Sequence, residues 1–508
     1  MKILLQVSSL SYKTYHYLAK RLKERYPDSE FAIIGSGSEG HGRHFFLKQT
    51  DVQYDFFDET SDVKVKLKES INFEIIKNFE KGAELFVWKI VSSDRRLGGV
   101  FLHNSLGYNS KYQSNKKYIL KSVEQRVIHI DNIFKKFKPD IFIPAMSMGS
   151  IDVGIYEGMC KIHNTQYAVV TVSRVKNYCA FSSNAMLNLD KIDLETRDLI
   201  SSKSTPSQSA EKLYNDLIEE IKKPDYFDSD IEKIESETLL KRINIFAIYV
   251  LFKPIYLYMV ACFNTLLFRE KSCNFKNDFV KWFAQGLQLI KVSSPKFGKK
   301  LEINQKYLYY PLHITPEYST LVQGGMIQDQ ISIIEFLAKS VPADWVVYVK
   351  EHPATLKNRI RPLDFYHKIK SIPNVEIAPT YLDMHELISN AEMVAVITGT
   401  SGFEAVLRGV PVIGFSDYIS IYDPLGLSEK CTDLNKLPDL ILDTLLNVKR
   451  VTCKEKAFRI KLLLTSILNN SFAVTFPKQL FYDEVGTDYE YSVCGKELAD
   501  GLIKHLNA

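Results

Sequence analysis

Tyr348-Val349-Lys350-Glu351-His352-Pro353 and Ile397-Thr398-Gly399-Thr400-Ser401-Gly402-Phe403-Glu404 are the two stretches that decide how this sequence folds. Each follows an apolar run, Trp345 to Val349 and Met393 to Ile397, with the continuity of a strand buried on both faces. Polar residues therefore begin where each strand stops, and in an open parallel sheet ligands bind outside the carboxyl ends of the strands. Thr398 to Gly402 supplies two glycines and three hydroxyl residues ahead of the helix-favouring run Phe403 to Leu407. Free N–H groups and a helix dipole can face an anion there, and phosphate is the obvious guest. A plainer reading stays open, in which Ser401 caps the helix and the glycines make a tight turn. The other strand end favours the ligand: the proline after His352 biases that residue towards an extended conformation, and its imidazole can reach the same crevice from a neighbouring strand.

The surrounding sequence repeats this unit. Tyr307 to His313 reads as a strand, followed by Pro316-Glu317 and the Gly324-Gly325 turn. Asp329 to Leu337 reads as a helix, Val375 to Ile377 as a strand, Met384 to Asn390 as a helix, Phe403 to Arg408 as a helix and Val410 to Phe415 as a strand. Strand and helix alternate at the spacing of βαβ units, which predicts a parallel sheet. The N-terminal half opens in the same way, with a strand at Lys2 to Val7, an amphipathic helix at Tyr15 to Tyr26 and a strand at Glu30 to Ile34. The run Gly35, Gly37, Gly40, Gly42 does not fit a dinucleotide fingerprint and reads as a loop. Residues 51 to 130 look mostly helical, with Asp94 and Arg95 reading as a surface ion pair rather than a site. Ile141 to Pro144 and Gln166 to Val172 read as further strands with a helix at Asp152 to His163 between them. Arg174, at the end of the second, could meet a phosphate, a carboxylate or a structural ion-pair partner.

The fold class expected is α/β and GT-B-like: two Rossmann-like, doubly wound parallel-sheet domains facing a cleft, with a helical insertion. The domains are placed at 1–188 (acceptor side), 189–300 (helical, partly apolar insertion) and 301–508 (nucleotide-sugar side with closing helices). The helices after Leu434 finish the second domain and can cross back onto the first. Within the insertion, Ile243 to Phe268 is the most apolar segment, but Lys253-Pro254 splits it into pieces shorter than the ~20 residues that span a bilayer. It reads either as an interfacial helix pair on an anionic membrane, flanked by Lys241, Arg242, Arg269 and Lys271, or as packing against the rest of the protein.

Composition narrows the classes further. With 508 residues, 45% hydrophobic and 25% charged, the chain is an ordinary globular protein too long for one typical core. A formal charge of +5 from 65 basic and 60 acidic residues gives no general case for nucleic-acid binding. Seven scattered cysteines with no C-x-x-C indicate neither a disulfide framework nor a zinc site. The N-terminus enters a strand at once, without the apolar region and cleavage site of a signal peptide. The location expected is cytoplasmic, and whether the chain also sits peripherally on the inner membrane face stays open.

Taken as an ordered set, Tyr310-Pro311-Leu312-His313, Pro316-Glu317, Asp329-Gln330, Tyr348 to Pro353, Ile372 to Val375, Thr398 to Ala405 and Gly409 to Val412 resemble the bacterial capsule polysaccharide biosynthesis proteins, GT-B glycosyltransferases related to Kdo transferases. Trp88 with Ser93-Asp94-Arg95 is a weaker match. The resemblance is concentrated in residues 305 to 415 and implies a GT-B fold and a role in making surface polysaccharide. It implies a nucleotide-sugar donor, CMP-linked in the Kdo transferases, bound as substrate with no cofactor, and a glycan or glycolipid acceptor. The catalytic candidates are His352, Lys350 and Asp152. Pro353, Thr398, Gly399, Thr400, Ser401, Gly402 and Glu404 are nucleotide- or phosphate-binding candidates, with Glu404 accepting from ribose hydroxyls. His313, Glu317 and Arg174 are further cleft candidates. A first-domain carboxylate is expected as nucleophile, and Asp152, Glu157 and Asp94 compete for that role. Gly414-Phe415-Ser416 departs from the Phe-Gly found in many members.

The same chemistry is expected from the residues alone. Breaking a bond between an anomeric carbon and a phosphate calls for positive charge and N–H donors on the departing phosphate. A Lys-x-His pair facing a helix N-terminus supplies both, and no Asp-x-Asp stands at a strand end of the second domain to hold a metal. Two other functions compete with a transferase: a nucleotide-sugar epimerase of the same shape, and a non-catalytic component of capsule assembly or export that contacts membrane or assembly proteins.

Overall fold

Two sets of apolar strands build two parallel sheets with the same internal order. In the computed structural model the described residues are 1–8, 11–35, 41–58, 65–95, 97, 115–145, 150–221, 291–292, 294, 297–358, 361–416, 422, 424–481 and 486–507. The first sheet contains β1 (Lys2–Gln6), β2 (Glu30–Gly35), β3 (Tyr54–Asp58), β4 (Ile141–Ile143) and β5 (Gln166–Tyr167), in the order β3-β2-β1-β4-β5. Every pairing in it is parallel. Next come β6 (Val169–Val172) and β7 (Tyr178–Ser182), an antiparallel hairpin outside that sheet. The second sheet contains β8 (Tyr307–Pro311), β9 (Val346–Lys350), β10 (Val375–Ile377), β11 (Met393–Val396), β12 (Val412–Gly414) and β13 (Ser428–Lys430), in the order β10-β9-β8-β11-β12-β13.

Ranked along the chain, both orders begin third, second, first, fourth, fifth, which is the doubly wound Rossmann order. The strand order reverses between β1 and β4 in the first sheet and between β8 and β11 in the second. Those two gaps are where a crevice opens at the carboxyl ends of the strands. The strands beside the second gap are buried on both sides, as continuous apolar runs predict. Tyr309, Val394 and Val396 pack on one face with Phe403, while Leu308, Tyr310, Met393 and Ala395 pack on the other.

Several expectations are corrected. Residues 51 to 130 are not mostly helical throughout, because Tyr54–Asp58 forms the edge strand β3; its two aspartates and partial exposure suit an edge and hide it from a search for buried runs. The apolar run 166–172 serves two sheets: Gln166–Tyr167 pairs with β4, whereas Val169–Val172 pairs with β7. Asp94 does not lie at the surface. It is buried, and its carboxylate accepts from the amides of Leu97 at 2.8 Å and Ile151 at 3.0 Å, capping the helix Ile151–Ile162. The loop 36–40 and the apolar segment 243–268 lie outside the described residues.

The two halves are joined by exchange of chain. Helix Cys453–Asn470 packs on helices Asp190–Ser201 and Gln208–Ile221, and helix Asp488–Asn507 lies along helix Tyr12–Arg25 of the first domain. Between them β14 (Phe472–Ala473) adds to β7. Val175, in the β6–β7 hairpin, is buried in the core of the second domain, and Val322 of the second half is buried in the core of the first.

Candidate functional site

At the second reversal point the end of β8 and the end of β11 are stitched together by His313. Its Nε2 accepts from the amides of Thr398 at 3.3 Å and Gly399 at 3.1 Å. A ring nitrogen that accepts carries no proton, so the proton sits on Nδ1, which is buried without a hydrogen-bond partner. Full burial, reinforced by the nearby His352, Arg361 and Arg174, pushes the His313 pKa down to about 3, and the ring is neutral at neutral pH. A Cβ on Gly399 would stand 3.0 Å from Nε2, which accounts for glycine there. Gly402 is equally constrained: a Cβ would come within 2.6 Å of the Tyr422 hydroxyl and 2.9 Å of Val396 Cγ2.

This changes the expected phosphate cradle. The amides of Thr398 and Gly399 already serve His313, and the Thr398 hydroxyl donates to the Ser319 carbonyl at 3.1 Å. The helix Thr400–Leu407 begins at the next residue, with Gly399 as N-cap. Thr400 and Ser401 are its first two residues, whose N–H groups have no partner within a helix. Those two amides form the open part of the turn.

Lys350 ends β9 on the same side of the sheet as Tyr348, which packs with Tyr309, Val396 and Phe403. The helix Thr400–Leu407 covers that face. Lys350 is 5% exposed, and among the described residues its ammonium has no hydrogen-bond partner. Burial pushes its pKa down to about 8, against the pull of the Asp383 and Glu351 carboxylates. Asp383 itself caps the helix Met384–Ser389 through the His385 amide at 2.9 Å, and Met384 Sδ lies 3.9 Å from the Ser401 hydroxyl. Lys350, Asp383 and Ser401 are thus brought to one corner.

His352 is held beside it. Its backbone N–H donates to Glu351 Oε1 at 2.7 Å, and its Nδ1 accepts from the Ala354 amide at 3.1 Å, leaving Nε2 as the donor. Burial lowers its pKa to about 4, so it offers a neutral N–H rather than the positive charge expected from the sequence. Pro353 opens the short helix Pro353–Asn358.

The sequence reading missed the network behind these residues. Glu351 and Arg361 are both buried, with Arg361 Nε 2.9 Å from Glu351 Oε2. Tyr366 donates to the same oxygen at 2.6 Å, and Arg361 Nη2 donates to the His313 carbonyl. Gln330 accepts from the His313 N–H at 2.7 Å and donates to its carbonyl at 2.9 Å. The ends of β8 and β9 are therefore fixed to each other by charge-assisted bonds. Only the glutamate inside the quoted motif hinted at this.

The other candidates are placed as follows. Glu404 is 0% exposed and lies against His385 at 3.1 Å and Arg408 at 3.6 Å, so its carboxylate is not presented to a ribose in this structure. Glu317 caps the helix Tyr318–Leu321. Arg174 reaches from the first domain and donates to the Thr398 carbonyl at 2.6 Å. Asp152 is held by Arg126 Nη1 at 2.9 and 3.1 Å. Glu157 accepts from the Ala185 amide at 3.1 Å, and burial raises its pKa. Ala185 also receives the Tyr318 hydroxyl on its carbonyl, which places Glu157 beside the junction of the domains.

The two doubly wound sheets give the chain a GT-B-like fold with two Rossmann-like domains. Residues 270–436, which include every second-domain residue of the site, match the family of capsule polysaccharide biosynthesis proteins. No curated protein matches the chain in sequence. Among solved structures it is similar to the beta Kdo 2,7 transferase KpsC of Thermosulfurimonas dismutans, with 11% identity over 75% of this chain and 90% of that one and a TM-score of 0.30. It is also similar to Anabaena Alr3699/HepE in complex with UDP and glucose, with 11% identity over 99% of each chain and a TM-score of 0.27. A third is the UDP-GlcNAc 2-epimerase of Neisseria meningitidis bound to UDP-GlcNAc, with 12% identity over 99% of this chain and 100% of that one and a TM-score of 0.22. Among the described residues no helix is long and apolar enough to cross a membrane.

Proposed function

We propose that this chain is a glycosyltransferase of capsule or other surface polysaccharide biosynthesis, taking its sugar from a nucleotide-activated donor bound at the second domain's crevice. One observation carries the reading: Lys350, 5% exposed as a residue and with no hydrogen bond from its ammonium to another described residue, stands at the strand-end edge where a helix starts. A buried cation is costly unless paired, and the donor phosphate is the partner this corner suits. As the anomeric bond breaks, negative charge grows on the departing phosphate. Lys350 supplies the positive charge, His352 Nε2 a neutral N–H, and the Thr400 and Ser401 amides the end of a helix dipole. A Kdo-like sugar carried on CMP is the donor favoured by the sequence resemblance, with a glycan or glycolipid as acceptor.

The first domain would supply the carboxylate that attacks or takes a proton. Glu157 suits that role better than Asp152 or Asp94, since Asp152 is clamped by Arg126 and Asp94 caps a helix. The testing experiment is a thermal-shift titration with CMP, UDP, GDP and their sugar conjugates, since ligand binding to the native state raises stability by RT ln(1 + [L]/Kd). A selective shift with CMP is expected, and a smaller one in Lys350→Met at the same concentration. A protein that melts cooperatively and shifts with no nucleotide would overturn the reading.

A further inference from the structure

We propose that Arg174 is a positioning residue that ties donor binding to the contact between the two domains, acting through the Thr398–Gly399 peptide. The inference rests on the donor site proposed above. A peptide unit is planar, so the Thr398 carbonyl and the Gly399 N–H move as one body. Arg174 Nη2 holds the carbonyl end at 2.6 Å, and His313 Nε2 holds the N–H end at 3.1 Å. One clamp comes from the first domain and the other from the second. The plane between them leads directly into Thr400 and Ser401, whose amides open the helix.

The hairpin that carries Arg174 is built to deliver it. Ser173 closes the turn with its N–H and its hydroxyl, both donating to the Tyr178 carbonyl at 3.0 Å. Val175, the next residue after Arg174, is buried in the second domain's core. Arg174 itself has φ of +69°, the left-handed region where glycine sits without strain and a long side chain does not. Arg174 shares that conformation with several other non-glycine residues of the chain, and what sets it apart is that its side chain ends on Thr398. If the domain contact orients the turn for a phosphate, then a bound phosphate must favour the domain contact by the same factor.

The test uses the full chain with Arg174→Gly, Arg174→Met and Arg174→Lys. Glycine relaxes the backbone while deleting the guanidinium, methionine keeps the stem without a donor, and lysine keeps one donor. Nucleotide affinity is read by calorimetry and the radius of gyration by small-angle X-ray scattering, with and without nucleotide. The Gly and Met variants are expected to bind nucleotide about five- to twentyfold more weakly and to have a larger radius of gyration than the unmodified chain under the same conditions, and Lys to recover part of both. A Gly variant as stable as the unmodified chain and equally tight in binding overturns the inference; should Gly not fold, an equally tight Met variant does so. Lysine no better than methionine also overturns it. Failure of the unmodified chain to bind any nucleotide is the separate result that removes the donor site itself.

Discussion

The charged residues around the two sheets are used in opposite ways. Around the first sheet the carboxylates are occupied with structure: Asp94 caps a helix, Asp152 is clamped by Arg126, and Asp140 accepts from the Lys2 amide at 2.7 Å. Around the second sheet, Lys350 is buried without a partner and His352 keeps a donor N–H in reserve, while Glu351 and Arg361 satisfy each other behind them. Charges that are satisfied hold a fold together, and charges left over are what a ligand can use. The second crevice has the leftovers.

That contrast can be broken most severely at Arg361. Arg361→Ala strands the Glu351 carboxylate in the core and is expected to destabilise the protein by about 3–5 kcal/mol, the usual cost of breaking a buried pair. Urea denaturation measures it, and a loss below about 1 kcal/mol would mean that the pair is not structural. Lys350→Met should act in the opposite sense. Removing an ammonium that burial disfavours more than the nearby carboxylates favour should leave the melting temperature unchanged or higher while nucleotide affinity falls by about 1.5–3 kcal/mol, the value of a hydrogen bond to a charged group. Loss of stability without loss of binding would assign Lys350 to the fold. His352→Ala should abolish transfer with the fold retained, because a strand-end loop carries little of the core; circular dichroism beside an activity assay separates the two.

Two pH effects sharpen the same comparison. Free Lys350 loses its proton as pH rises through about 8, whereas a bound phosphate holds that proton to higher pH. Nucleotide affinity should therefore be level below pH 8 and fall up to about tenfold per unit above it. Lys350→Met should abolish that fall. His313 behaves as a structural group. Unfolded, it takes a proton near its ordinary value of 6.5, but folded only near about 3. Stability is thus fully present above 6.5 and declines as pH drops below it, by up to about 1.4 kcal/mol per unit from this residue. His313→Gln should flatten the decline. Smallest is Ser401→Ala, expected to weaken nucleotide binding by about 1 kcal/mol, one neutral hydrogen bond.

Much of the second domain was legible because buried parallel strands are written as unbroken apolar runs, and a polar motif at the end of each run marks the ligand edge. The strands predicted at 345–349, 393–397 and 410–415 form at Val346–Lys350, Met393–Val396 and Val412–Gly414. The edge strand Tyr54–Asp58 was not legible, since partial exposure at an edge breaks the run with aspartates. Arg361 was equally hidden. It stands ten residues beyond Glu351 in a polar stretch, and nothing local distinguishes it from a solvated arginine.

Local sequence, then, determined where the second-domain strands stop and which residues stand at their ends, because apolar periodicity and turn chemistry act over a few residues. Which strands became neighbours, and so which ends met, was decided only by the tertiary structure. His313 and Thr398 are separated by 85 positions, and no local rule places an imidazole on those amides. Burial set the proton affinities as well: removing water pushes His352 further from protonation and weakens the hold of Lys350 on its proton.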